Sequence, residues 1–234
     1  MKALVFDTGP IISLTLNNLL GLLTNLKPKY KGYFYITPAI RDEVIDRPLN
    51  SKKFKFEALQ VLRSWHNNIL EVFEDPQLNK KTNDLMDLAN QCFEARGNYI
   101  HIVHFAEISG VVATVMTKAE AFVVDERTTR LLIEHPERLR SILSRKLHTS
   151  VTVNKKNLRQ FLDFAKGVKL IRSAELVTIA YELGLLDKYI VNIPNPKKTL
   201  LEAVLWAVKL NGCAISEREV VEIIKMETKS QSFK

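Results

Sequence analysis

The sequence predicts an α/β fold built on a central parallel sheet, and three observations carry that expectation. The first is Ala3-Leu4-Val5-Phe6, an unbroken apolar run that reads as a strand buried on both faces. The second is that similar runs recur at Tyr33-Phe34-Tyr35-Ile36 and Ala121-Phe122-Val123-Val124, each followed by a helical pattern. The third is what ends the first run: Asp7, and then Gly9-Pro10. A strand that delivers an acid into the turn before a helix is how open α/β sheets place their chemistry.

Taken in order, an apolar helical pattern runs over 11–23, and Lys27-Pro28-Lys29-Tyr30-Lys31 reads as a basic loop before the second strand. Thr37-Pro38 reads as an N-cap with proline at the first helical position. The helix it opens carries Glu43 about one turn past the strand end, with Asp42 and Asp46 on other faces. Residues 54–67 and 84–96 show helical spacing, the second closed by Gly97. Between them, 70–73 reads as a short strand and the rest up to Lys81 as loop. Ala106-Glu107 opens a helix of small residues over 108–113, suited to close packing on a sheet. The strand 121–124 ends in Asp125-Glu126-Arg127, with helices over 128–134 and 137–147 separated by His135-Pro136, and a short strand over 151–153. From Asn154 onward only helical patterns occur, at 158–165, 173–183, 199–210 and 216–226, the last opened by the capping box Ser216-x-x-Glu219. The expected organisation is one α/β domain over 1–150 and a small all-helical domain over 151–234.

Composition narrows the class. With 46% hydrophobic and 26% charged residues among 234, the chain has the make-up of an ordinary globular protein. Cys92 and Cys213 are isolated and form no CxxC, which argues against a disulfide framework or a zinc site and points to a reducing, cytoplasmic setting. Asp7 and Asn17-Asn18 interrupt the N-terminal apolar run, unlike a signal peptide, and no membrane span is expected. A net charge of +8 and a pI near 9.4 favour an anionic partner. Residues 1–150 hold 20 Lys and Arg against 17 Asp and Glu, residues 151–234 hold 14 against 9, so the shorter part is the more basic.

Four acids arrive at strand ends or in the next helical turn: Asp7, Glu43, Glu107, and Asp125 or Glu126. Gathered in one place they would repel one another unless a cation joined them. Oxygen-only donors suit Mg²⁺ or Mn²⁺, and such a cluster suits phosphodiester hydrolysis. The structural alternative is that each acid merely sits at a helix N-terminus, favoured by the dipole. His101 and His104 offer no convergent face for zinc.

Together, Val5-Phe6-Asp7-Thr8 before a helix, Thr37-Pro38 with Glu43 downstream, Ala106-Glu107 opening a small-residue helix, and Val123-Val124-Asp125-Glu126-Arg127 resemble a PIN domain over residues 1–150. The resemblance implies a three-layer α/β/α ribonuclease fold with a central parallel sheet and an acidic pocket. It implies Asp7, Glu43 and Glu107 as the first three acids and Asp125 or Glu126 as the fourth. The metal ligands would be Asp7, Glu43, Glu107 and Asp125, with Glu126 beside them in the catalytic set and Thr8, Arg127 and Arg130 toward substrate. The pattern departs from the family where Ala106 replaces the glycine of a "GE" motif and Glu126 the second aspartate of "DDxxxR". The function implied is that of a prokaryotic Mg²⁺- or Mn²⁺-dependent endoribonuclease; the alternative is an inactive PIN-like module that binds nucleic acid or protein. RNA, an antitoxin-like protein inhibitor and a second copy of the chain in a homodimer are the implied partners. Beyond 150, Lys155-Lys156, Lys169, Arg172 and Lys197-Lys198 lie near helix ends, where phosphates bind. Acids at the front of the last helix disfavour a helix-turn-helix, leaving a helical cap for substrate or partner.

Overall fold

The computed structural model describes residues 2–231. Its centre is strand β1 (Ala3–Phe6), flanked by β2 (Tyr33–Ile36) on one side and β6 (Ala121–Val123) on the other, both parallel to it. Strand β3 (Glu71–Val72) extends the sheet beyond β2, and β8 (Leu170–Ile171) extends it beyond β6. The order is therefore β3-β2-β1-β6-β8, an all-parallel five-stranded sheet in an α/β fold. Parallel strands need helices on both faces, and alternation along the strands shows them there. Leu4, Phe6, Phe34, Ile36 and Val123 enter one apolar cluster, with Ile11, Leu14, Leu23, Val177 and Leu205. Val5, Phe122 and Val124 enter the other, with Leu85, Ile108, Val111, Leu132 and Phe161. The period of two that separates these sets is the pleat itself.

The helices mostly fall where apolar spacing places them, and the departures have local causes. The single helix expected over 11–23 is two, α1 (Thr8–Leu16) and α2 (Gly21–Tyr30). They break at Asn17-Asn18, where Asn18 takes the left-handed conformation at φ 55° that asparagine tolerates. Helix α2 runs through Pro28, so the basic segment read as a loop is helical up to Tyr30. After β2 come α3 (Pro38–Arg41), a π-helical turn (Asp42–Asp46), α4 (Arg47–Leu49) and α5 (Lys55–His66).

The helix expected over 84–96 starts and stops earlier, as α6 (Leu78–Asn90), followed by the hairpin β4 (Phe93–Ala95) and β5 (Asn98–Tyr99). Arg96 and Gly97 hold φ of 52° and 77° at its tip, as a two-residue hairpin turn with paired positive φ requires. Gly97 therefore serves that turn rather than a helix end. Strand β7 (Thr152–Val153) pairs with β4 in this second, antiparallel sheet.

Helix α7 (Phe105–Thr117) meets the central sheet closely. A Cβ on Gly110 would fall well inside contact with the Phe122 ring, so only glycine allows this approach. Helices α8 (Arg127–Glu134) and α9 (Pro136–Leu147) follow β6.

The expected all-helical domain over 151–234 is corrected at β8. Leu170–Ile171 pairs with Phe122 and Val123 and completes the main sheet. Around it are α10 (Lys155–Phe164), α11 (Ser173–Glu182), α12 (Pro196–Leu210) and α13 (Glu217–Gln231). Leu176, Leu201, Leu205 and Val220 share one cluster with Leu4 and Phe34, so a boundary near 150 would cut through a common core. A strand of two residues has no alternation to detect, and that hid β8 in the sequence. Among the described residues no helix is long and apolar enough to cross a membrane.

Replacing Gly110 by alanine forces α7 off the Phe122 ring. The expected cost is about 1–3 kcal/mol of stability, read as a lower midpoint with unchanged slope in urea unfolding.

Candidate functional site

The sheet reverses its order of growth at β1. The chain builds outward through β2 and β3, then returns to add β6 on the other side of β1. Open α/β sheets form a crevice at such a point, outside the carboxyl ends of the two strands. Asp7 follows β1 and Asp125 lies just past β6, so both strand ends on this crevice carry an aspartate. Both are buried, at 4% and 2% exposure. Gly9 lies between them: a Cβ there would sit 3.4 Å from Asp125 Cβ and 3.7 Å from Asp7 Oδ2.

Asp7 stands at the N-cap position of α1, yet its side chain makes no capping hydrogen bond. Its Oδ1 is buried with no partner. Burial first, and the negative charge of Glu107 second, push its pKa up to about 7. Nearby backbone N–H groups of Thr8 and Gly9 oppose that rise, and Glu43 adds to it. Asp125 accepts the Ser173 backbone N–H at Oδ1, 2.8 Å, while Oδ2 has no N–H or O–H donor in hydrogen-bonding geometry. Burial raises its pKa as well, against the Ser173 N–H. The adjacent Cys213 thiol, a weak donor at best, is itself pushed up to about 12 by burial and by the charge of Asp125.

Three glutamates come to the same crevice from helices. Glu43 lies in the π-helical turn, a distortion that recurs at functional sites because it re-aims side chains. Its Oε2 accepts the Thr8 hydroxyl at 2.6 Å, so Thr8 orients Glu43 and caps nothing. The Thr37 and Ser109 hydroxyls, buried and 2.6 Å apart, bind the front of α3 to α7, the helix that carries Glu107. Thr37 also caps α3, accepting the Ile40 N–H, as Thr37-Pro38 predicts. Glu107 Oε2 accepts the His104 N–H at 3.1 Å and the Thr129 hydroxyl at 3.2 Å. Burial is the main cause that raises its pKa, with Glu126 contributing. Glu126 caps α8 by accepting the Thr128 N–H. For Glu107 and Glu126 the helix-terminus role is thus real, and it coexists with a place on the crevice wall.

One cavity of about 480 Å³ is lined by Asp7, Thr8, Glu43, Glu107, Asp125 and Glu126 together, with Arg127 at its edge. All five acids named from the sequence reach it. Arg130 does not; it ion-pairs with Glu134 at 3.7 Å, donates to the Ala214 carbonyl at 3.4 Å and lines a neighbouring cavity. Among the described residues no group of three or more His, Cys, Asp or Glu side chains is gathered as a ready coordination shell. The five acids nevertheless suit a hard divalent ion: their donors are all oxygen, and Asp7 Oδ1 and Asp125 Oδ2 are buried with no N–H or O–H donor in hydrogen-bonding geometry.

Sequence reasoning missed Thr129, Ser173, Gly212 and Ala214. The first two hold acids in place and the last two form wall. Gly212 and Ala214 lie some two hundred residues along the chain from Asp7, and no local pattern marks them.

In comparisons with known proteins, no family model, no curated protein and no solved structure matches the chain.

The pKa shifts set a pH dependence. Between about pH 4 and pH 7 the folded chain keeps a proton on Asp7 that the unfolded chain has lost, so stability falls as pH rises through that window and levels off above it. Asp7→Asn is expected to flatten this slope and to stabilise the metal-free protein at pH 8 by on the order of 1–4 kcal/mol, measured by urea unfolding in a chelating buffer.

Proposed function

We propose that the chain is a PIN-like, Mg²⁺- or Mn²⁺-dependent endoribonuclease acting at this cavity. The observation that carries the reading is the pair of buried aspartates, each with an unpartnered oxygen, at adjacent parallel strand ends. A buried carboxylate oxygen without a donor is costly to the fold, and a raised pKa marks the cost that a bound cation removes. Asp7 and Asp125 would hold the ion, with Glu43 and Glu107 completing the donor set and Glu126 beside them. When bound, the cation supplies Lewis-acid activation of water and stabilises charge on the scissile phosphate.

The chain's own groups have definite tasks in this reading. Thr8 fixes the orientation of Glu43, and the His104 N–H and Thr129 hydroxyl fix Glu107. With its pKa raised to about 7, Asp7 is part-protonated near neutrality, and a cation held there would favour its charged form. Arg127, exposed at the edge of the cavity, meets the phosphate backbone of a strand entering the crevice. The choice of RNA comes from the PIN resemblance of Asp7, Glu43, Glu107 and Asp125-Glu126-Arg127.

A second reading is favoured by one observation. Glu107 and Glu126 already satisfy backbone N–H groups, which suits an inactive module that binds nucleic acid and cuts nothing. Cleavage decides between the two. With Mn²⁺ and labelled single-stranded RNA, the wild-type chain is expected to cut. Asp7→Asn and Asp125→Asn are each expected to lose at least about 100-fold, the scale of several kcal/mol of charge stabilisation. Equal cleavage by Asp7→Asn would remove the proposal. In a parallel melting experiment, Mn²⁺ is expected to raise the melting temperature of the wild type and leave Asp7→Asn unmoved, since only a cation bound by the folded state stabilises it.

A further inference from the structure

The carboxylate cavity shares two wall residues, Arg127 and Ala214, with a second cavity of about 300 Å³. Four arginines line this neighbour: Arg127 and Arg130 from α8, Arg138 from α9, and Arg172 from the end of β8. Two of them are already matched. Arg172 is buried, pairs with Glu175, reaches Glu219 at 2.8 Å and donates to the Ala214 carbonyl at 3.2 Å. Glu219 is fully engaged in return, also closing the capping box with Ser216, and its pKa is held down near 2 against the desolvation that would raise it. Arg130 is taken by Glu134 and by the Ala214 carbonyl. Arg127 and Arg138 are different: both are exposed, and among the described residues neither guanidinium has an ion-pair or hydrogen-bond partner. Arg127 stands on the common wall and still pairs with none of the five acids across it.

We infer that this second cavity is a phosphate subsite, in which Arg127 and Arg138 hold the phosphodiester that flanks the one at the carboxylates. The inference rests on the nucleic-acid reading above and adds a residue and a place to it. A guanidinium presents a planar fork that matches two phosphate oxygens. Two unmatched forks on one concave wall, backed by arginines whose charge is already neutralised, give a site for one phosphate rather than a diffuse basic patch. The remaining wall is Leu131, the turn before α13, Ala214-Ile215-Ser216, and Glu219, whose carboxylate is held by Arg172. The register of the strand on the acids is then set jointly by α8, α9 and the C-terminal part of the chain, which the PIN resemblance does not cover.

The test is binding without metal, so that nothing is cut. Fluorescence anisotropy with a short single-stranded oligouridylate lacking a terminal phosphate is followed in a chelating buffer over a range of salt. Arg138→Ala and Arg127→Ala are each expected to weaken binding about tenfold and to lower the slope of log affinity against log salt by about 0.7, the loss of one phosphate contact on a single strand. Arg138→Lys recovers part of the loss, because a point charge replaces a fork. Lys80→Ala, which removes an equal charge from an exposed position on α6 that lines neither cavity, is expected to change affinity less than about twofold. Equal losses at Lys80 and Arg138 would mean general attraction and overturn the subsite, as would unaltered binding by Arg138→Ala or no binding by the wild type. A loss confined to a 5′-phosphorylated probe would overturn the flanking-diester placement. Absence of cleavage by the wild-type chain with Mn²⁺ would count against the nuclease reading alone and leave this measurement standing.

Discussion

The reversal of strand order at β1 is the constraint from which the site follows. With β2 on one side and β6 on the other, β1 is covered on both edges and both faces, and whatever follows its last residue is delivered into a crevice walled by helix starts. Asp7 is held there by its own backbone, whose N–H donates to the Val123 carbonyl of β6 at 2.9 Å. Asp125 is held by the Ser173 N–H at the start of α11, just beyond β8. Asp7 is thus placed by the sheet ladder and Asp125 by the backbone at the start of α11, and both carboxylates are buried.

The glutamates are placed by a softer scaffold. Glu43 depends on a π-helical turn and on the Thr8 hydroxyl, Glu107 and Glu126 on contacts that also finish helices. Such double duty is physically coherent. A helix N-terminus lowers the energy of a carboxylate and so tolerates negative charge near other negative charge. Burial raises the pKa of Asp7, Asp125 and Glu107 alike, and at each of them backbone N–H groups offset part of it.

The C-terminal part is structural before it is anything else. It supplies the outermost strand next to β6 and a large share of one core layer. It also closes over the crevice, with the Ala214 N–H donating to the Asp125 carbonyl at 3.2 Å. The Arg172 cluster with Glu175 and Glu219 ties β8, α11 and α13 to that turn. A negative cavity and an arginine-lined one thereby come to share a wall, and a polyanion bridging them would meet neutralising charge on the side where the acids would otherwise repel it.

What the sequence determined by itself is the set of elements with strong local signals. The apolar runs of β1, β2 and β6, the Thr37-Pro38 cap, the Ser216–Glu219 capping box and the small-residue face of α7 are each legible within a few residues, because strand burial, capping and close packing are local in chemistry. The meeting of Asp7 with Asp125 and Glu126 follows from their placement past the ends of adjacent parallel strands, which finish on the same edge, while Glu43 and Glu107 join them from helices. Only tertiary structure decided the rest. The strands β4, β5 and β8 are two or three residues long, too short to show a period, and they exist because a neighbouring strand offers them hydrogen bonds. The pairing of Arg172, the freedom of Arg127 and Arg138, and the Gly212–Ala214 wall depend on segments far apart in the chain. Their meeting is a property of packed layers, and no stretch of the sequence contains it.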